Sequence, residues 1–156
     1  MDVRTDSTDQ ANPVAWLKRD HEVIRGYLQT LSRSSIADGR ATFEALKRIL
    51  SLHNAIEENL VYPALAKVAG ARDQAMELFH ETAEADILVY TATRAALEDD
   101  EPAFNACMQQ LTAAILEHVT LEETQAFPAL ERASRTELQS LAHQILEFKG
   151  AMGTAA

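Results

Sequence analysis

The stretch HNAIEENLVYPAL at residues 53–65 recurs as HVTLEETQAFPAL at residues 118–130. Six of the thirteen positions are identical: the His, both glutamates and the closing Pro-Ala-Leu. Tyr62 and Phe127 form an aromatic match. In each copy the His and the first Glu stand four apart, as His53 with Glu57 and His118 with Glu122. On an α-helix that spacing sets both side chains on one face, one turn apart. An imidazole and a carboxylate so placed reach a common metal ion. Two such faces turned toward each other would hold a pair of ions, with the rest of the chain as scaffold.

The flanking sequence reads as helices. Residues 1–11, rich in Asp, Thr and Ser without periodic apolar positions, read as a disordered tail, and the domain is expected over residues 13–150 after a tail of residues 1–12. Asn12-Pro13 reads as an N-cap followed by Pro at the first helical position. Val14, Leu17, His21, Ile24, Leu28 and Leu31 then form one apolar stripe with a histidine set into it. Ser32 to Gly39 reads as a loop. A second helix is expected from about Arg40 to Ala69, with Leu46, Leu50, His53, Glu57, Leu60 and Ala64 inward and Gly70 as C-cap. A third is expected from Arg72 to Leu97, with Met76, His80, Ala83, Ile87 and Tyr90 inward. The fourth should run from Pro102 to Ala133 with Leu111, Ile115, His118 and Glu122 inward. Ser134 and Glu137 make a capping box that starts a short fifth helix to about Lys149, with fraying after Gly150. Pro63 and Pro128 mark a kink or a helix end just past each His/Glu pair.

The fold class that follows is all-α, an up-down-up-down four-helix bundle with a short C-terminal fifth helix. In an antiparallel hairpin, residues equidistant from the turn lie at one height. His21 and His53 are symmetric about residue 37, Glu57 and His80 about residues 68–69, and Glu84 and His118 about residue 101. Three turns thus bring the same residues to one level.

Composition agrees. A chain of 156 residues is one domain with room for a core. Five glycines and four prolines are few enough to favour helix throughout. No apolar run approaches the ~20 residues needed to cross a bilayer, and the polar N-terminus resembles neither a signal nor a transit peptide. Cytoplasmic location is the expectation. The single cysteine, Cys107, fits a reducing compartment and reads as a buried structural thiol. A net charge of −10 argues against nucleic acid or an anionic membrane as partner.

The inward polar set is His21, His53, Glu57, His80, Glu84, His118 and Glu122. Buried carboxylates repel one another and are costly unpaired, and cations resolve the conflict. Four His and three Glu exceed one coordination sphere, so two ions are expected. Mixed nitrogen and oxygen donors without thiolate suit iron, manganese or zinc, and an open near-octahedral site favours the first two. Glu81, or plain solvent exposure of Glu84, competes with the inward placement of Glu84. Glu58 and Glu123 lie about 100° round the helix from the first glutamates and read as supporting or surface residues. His143 reads as a surface or packing residue, and Tyr27, Tyr62 and Tyr90 chiefly as packing, with lining the site or contacting a ligand as the alternative.

His21, His53-x3-Glu57, His80 and His118-x3-Glu122 together resemble the hemerythrin-like, or HHE cation-binding, domain family over about residues 13–133. The paired glutamates and the aromatic-Pro-Ala-Leu are similar to its bacterial branch. Ferritin-like di-iron proteins use Glu-x-x-His instead. The resemblance implies a non-haem di-iron centre, oxo- or hydroxo-bridged, with Glu57 and Glu122 bridging. His21 and His53 would sit on one iron, His80 and His118 on the other. Oxygen-carrying hemerythrins place a histidine where this chain has Glu84 and bridge with an Asp in an H-x4-D pattern. A third carboxylate favours the ferric state and disfavours reversible O2 carriage.

The expected function is a di-iron protein that meets O2, NO or peroxide as sensor, scavenger or store. The alternatives are a di-iron enzyme that degrades peroxide or reduces NO, and an iron- or redox-responsive interaction module.

Overall fold

A computed structural model describes residues 12–154, so the reading of residues 1–11 as a tail lies outside it. Five helices follow one another, and among the described residues there is no strand. The first, α1, is Pro13–Leu31. Asn12 caps it as expected, its side-chain oxygen accepting from the Val14 and Ala15 amides at 3.0 and 3.3 Å.

Helix α2 begins at Ile36, four residues before the expected start. Ser35 is the cap: its Oγ accepts from the Asp38 amide at 3.1 Å, and Asp38 complements the helix dipole in the first turn. Asp38-Gly39, a loop signal in sequence, is therefore helical. Gly39 serves close packing, since a Cβ there would stand 3.0 Å from Leu31 Cδ2 and 3.1 Å from Ser34 Cβ.

Ile36–Ile56 continues into a π-helical turn, Glu57–Val61, and a last α turn, Tyr62–Leu65. We count all three segments as α2. After the short turn at Gly70, which takes a left-handed φ of 78°, α3 spans Arg72–Leu97. Asp100 caps the next helix through the Ala103 amide at 3.1 Å. Helix α4 is Glu101–Leu121, then a second π turn, Glu122–Ala126, then Phe127–Leu130. Ser134 and Glu137 form the expected capping box (2.8 and 3.2 Å) at the start of α5, Arg135–Thr154. Fraying after Gly150 is not seen: α5 stays helical to Thr154.

The two π turns replace the kinks expected at Pro63 and Pro128. Proline has no N–H and its ring crowds the carbonyl four residues back. Widening the preceding turn answers both problems. The Tyr62 amide bonds to the Glu57 carbonyl and the Phe127 amide to the Glu122 carbonyl, each five residues back. The helix therefore carries on past each proline with one extra residue in its turn.

Helices α1 to α4 form the antiparallel bundle, and α5 packs across α1 and α2, including the first π turn. Two apolar clusters fill the interior. One is built around Leu17, Tyr62, Leu65, Leu78, Phe127 and Ile145. The other contains Ile24, Leu46, Phe43, Phe104, Leu111 and Ile115. Every residue of the α1 stripe is buried, as are Leu46, Leu50, His53 and Glu57 of α2 and Leu111, Ile115 and Glu122 of α4.

Helix α3 has the expected ends but a different face. Ala75, Leu78, Thr82, Ala92 and Ala95 are buried, whereas Met76, Ile87 and Tyr90 are exposed. The expected inward stripe is thus turned outward by about one residue, or about 100°. On the inward side of α3, Phe79 meets Tyr62 of α2 edge to face at 5.1 Å between centroids. No helix among the described residues is long and apolar enough to cross a membrane.

Candidate metal centre

Between the two apolar clusters lies one polar level. His21 and Glu122 are fully buried, as is Glu57, and His53 is nearly so. Ligand atoms from His21, His53, Glu57 and Glu122 all lie within 4.8 Å of one another. His21 Nε2 stands 3.1 Å from His53 Nε2 and 3.2 Å from a Glu122 oxygen. His53 Nε2 is 2.8 Å from Glu57 Oε1. On the other side of the level, His118 Nε2 is 3.3 Å from Glu122 Oε1. His118 is 15 % exposed, so it closes the level at its rim.

Each of the three imidazoles is held from behind by a carboxylate. His21 Nδ1 meets Glu123 Oε1 at 2.8 Å, His53 Nδ1 meets Asp20 Oδ2 at 3.1 Å, and His118 Nδ1 meets Glu81 Oε2 at 2.7 Å. An ionised carboxylate only accepts, so Nδ1 must carry the proton. In the neutral rings every Nε2 is then a bare donor atom directed into the level. Arg25 braces Glu123 with a 3.1 Å hydrogen bond. Burial raises the Glu123 pKa, but Arg25 and His21 outweigh it and hold the carboxyl below its ordinary range.

Two further facts show an excess of negative charge and lone pairs here. Glu57 Oε1 and Glu122 Oε2 are buried with no hydrogen-bond donor. Burial and the facing charge of Glu122 push the Glu57 carboxyl up. Burial opposes ionisation of Glu122 too, but the neighbouring His118 and His21 imidazoles hold it well down. With protons as the only cations, burial disfavours charged imidazoles, yet the acids prevail. Glu57 and Asp20 bring His53 to about 10, and Glu122 with Glu57 brings His118 to about 9. A metal ion supplies the same positive charge and answers the orphaned oxygens directly. The residues present therefore fit a cation.

His80 and Glu84 do not join this level, which corrects their inward reading. His80 is 75 % exposed and Glu84 64 %, and they pair only with each other at 3.2 Å on the outer face of α3. The antiparallel register explains part of the error. Asn54 bonds Asp86, and Tyr62 lies against Thr82, so α2 and α3 are symmetric about Gly70 to Arg72 rather than residues 68–69. His118 meets Glu81, not Glu84. The inference that a third carboxylate at Glu84 biases the metals falls with that placement.

Sequence reasoning passed over one position of the level and gave too little weight to two. Asp20, which precedes His21, drew no reading, and Glu81 appeared only as a rival to Glu84. Tyr62 had packing as its main reading and lining the site as the alternative; its hydroxyl lies in the middle of the level, fully buried. It stands 2.8 Å from Glu122, 3.0 Å from Glu57, 3.0 Å from His118 Nε2 and 3.4 Å from Thr82 Oγ1. Burial and both carboxylates push its phenol well above the usual value of 10 in the metal-free protein. The signal that would have found it is the proline following each aromatic residue. The π turn it induces places Tyr62, five residues on from Glu57, over the same face. Phe127 takes the corresponding place in the second repeat and stacks on His21 at 5.6 Å. His143 is a surface residue, paired with Glu147, and Cys107 is half-buried.

Next to the level is a cavity of about 20 Å³ lined by the apolar Ile24, Leu50, Ala85, Val89, Ile115 and Val119 and by the polar His53, Asn54, Thr82, Asp86 and His118. The model of one protein family, the hemerythrin HHE cation binding domain, matches residues 12–130. No curated protein and no solved structure gives a match.

Proposed function

The chain belongs to the hemerythrin HHE cation-binding domain family, and from that premise we propose that it is a non-haem di-iron protein that meets O2, NO or peroxide as sensor, scavenger or store. One observation carries the metal: three bare imidazole nitrogens face two buried carboxylates whose inner oxygens lack any donor. His21 and His53, with one oxygen each from Glu57 and Glu122, would hold one ion. His118, with the same two glutamates, would contribute to holding the second. Nitrogen and oxygen donors without sulfur suit iron or manganese. Bound iron would supply Lewis acidity and one-electron redox chemistry.

The cavity supports the class of ligand. A space of about 20 Å³ holds one water-sized molecule, since about 10–15 Å³ on this measure is the minimum for one. So small a space favours a diatomic or peroxide over a larger substrate. The chain's own residues orient the imidazoles through Asp20, Glu81 and Glu123, exclude bulk water with Ile24, Leu50 and Ile115, and leave His118 at the rim for entry.

The test is elemental analysis and an optical spectrum of freshly purified protein, oxidised and reduced, then exposed to O2, NO or peroxide. About two irons per chain, with a spectral change on exposure, is the expected result. A chain without bound metal after growth in iron and reconstitution would overturn the proposal.

A further inference from the structure

The second half of the polar level holds one more protein oxygen than the family resemblance implied. The Tyr62 hydroxyl carries a single proton, yet four groups surround it within 3.4 Å. Glu57 Oε2 and Glu122 Oε1 are acceptors only, and in the neutral ring that a metal requires His118 Nε2 is bare too, because Glu81 holds the Nδ1 proton. Thr82 spends its own proton on the Leu78 carbonyl at 2.9 Å, so its Oγ1 also presents lone pairs. One proton cannot satisfy four acceptors. A cation among these atoms can.

The internal repeat gives an independent argument. The aromatic residue before the proline is Phe127 in the second copy, where it fills its place by packing on His21. Packing therefore requires no hydroxyl at this position of the motif. The hydroxyl of the first copy is additional, and it is directed at the half of the level that lacks His80, which lies outside the bundle.

We propose that Tyr62 is a ligand of the second metal ion, its phenolate oxygen completing a set with His118 Nε2, Glu57 Oε2 and Glu122 Oε1. On binding, the phenolic proton is released to solvent and the cation takes its place. This rests on the metal-centre reading above and refines it. The two ions become inequivalent: two nitrogens and two oxygens on one side, one nitrogen and three oxygens on the other. A hard anionic oxygen favours ferric iron in the second position.

The experiment loads the full chain with ferric iron and records metal content, the visible spectrum and the resonance Raman spectrum. Wild type should bind two irons and show a visible phenolate-to-iron charge-transfer band whose excitation enhances tyrosinate ring modes. Tyr62→Phe, which imitates the second repeat and keeps the ring beside Phe79, should lose band and modes. It should keep the first iron and bind the second roughly tenfold or more weaker. Two irons without tyrosinate modes in wild type would overturn the Tyr62 assignment and leave the metal centre standing. No iron in wild type would overturn both. The wild-type Raman spectrum decides even if the variant folds poorly.

Discussion

Consider removing the charge, and only the charge, from behind each imidazole. Asp20→Asn, Glu81→Gln and Glu123→Gln each keep an oxygen able to accept the Nδ1 proton at nearly the same place. The three bonds are 3.1, 2.7 and 2.8 Å long, and the carboxylates are about a quarter exposed. Each stands across the ring from the Nε2 that would hold an ion. A unit charge about 7 Å from a divalent ion is worth ~1 kcal/mol at the dielectric of water and ~5 kcal/mol at an effective value of ~20. Partial exposure puts these sites between those limits. The expected loss is therefore about 10- to 100-fold in metal affinity, or ~1.4–2.7 kcal/mol. Asp20→Asn should be the mildest, having the longest bond. Glu123→Gln carries an added cost, because it also leaves Arg25 without its 3.1 Å carboxylate partner. Competition against a chromophoric chelator at fixed pH measures each affinity, with circular dichroism to check the fold. If all three variants bind within about twofold of wild type, these carboxylates do not tune the imidazoles and the reasoning fails.

Metal content should be unchanged in His80→Ala and Glu84→Ala, which alter only the outer face of α3, and lost in part or whole in Glu57→Ala and Glu122→Ala; the reverse pattern would discard the placement. In metal-stripped protein, His53 and His118 have folded pKa values of about 10 and about 9, raised from 6.5. Their contribution is complete below pH 6.5 and is lost as pH rises through 9 to 10. Thermal melts of stripped protein should fall across that window while melts of loaded protein stay flatter, and parallel curves would contradict the assignment. Gly26 faces open space within α1, so Gly26→Ala should stabilise by ~0.5–1 kcal/mol, about 1–4 °C in Tm. Gly39→Ala should show no such gain, because its Cβ meets Leu31 and Ser34; equal gains in a melting comparison would refute the packing reason.

The bundle was legible because caps and stripes agreed. Asn12-Pro13, the Ser134–Glu137 box and the unbroken α1 stripe each carry their own physical signal, and His53, Glu57, His118 and Glu122 follow from helix spacing within one repeat. Helix α3 was not legible. Met76, His80, Ala83, Ile87 and Tyr90 are as periodic as the true inner face of Ala75, Leu78, Thr82 and Ala92, and they include the larger side chains. Which face turns in depends on how Ala75, Leu78 and Phe79 pack against Tyr62 of α2, a tertiary fact that periodicity does not encode. The hydroxyl of Tyr62 was hidden for another reason. In an α-helix a residue five on from Glu57 points elsewhere, and only the widened turn before Pro63 brings it back. Ser35 and Asp38 were overlooked as a cap because Gly39 beside them spoke for a loop.

The most direct test is anomalous diffraction at the iron edge from crystals of the iron-loaded chain. The account predicts two peaks a bridging-carboxylate distance apart, inside the bundle, bounded by His21, His53, His118, Glu57 and Glu122. Peaks confined to His80 and Glu84 on the outer face, or an interior with no anomalous density at all, would contradict it.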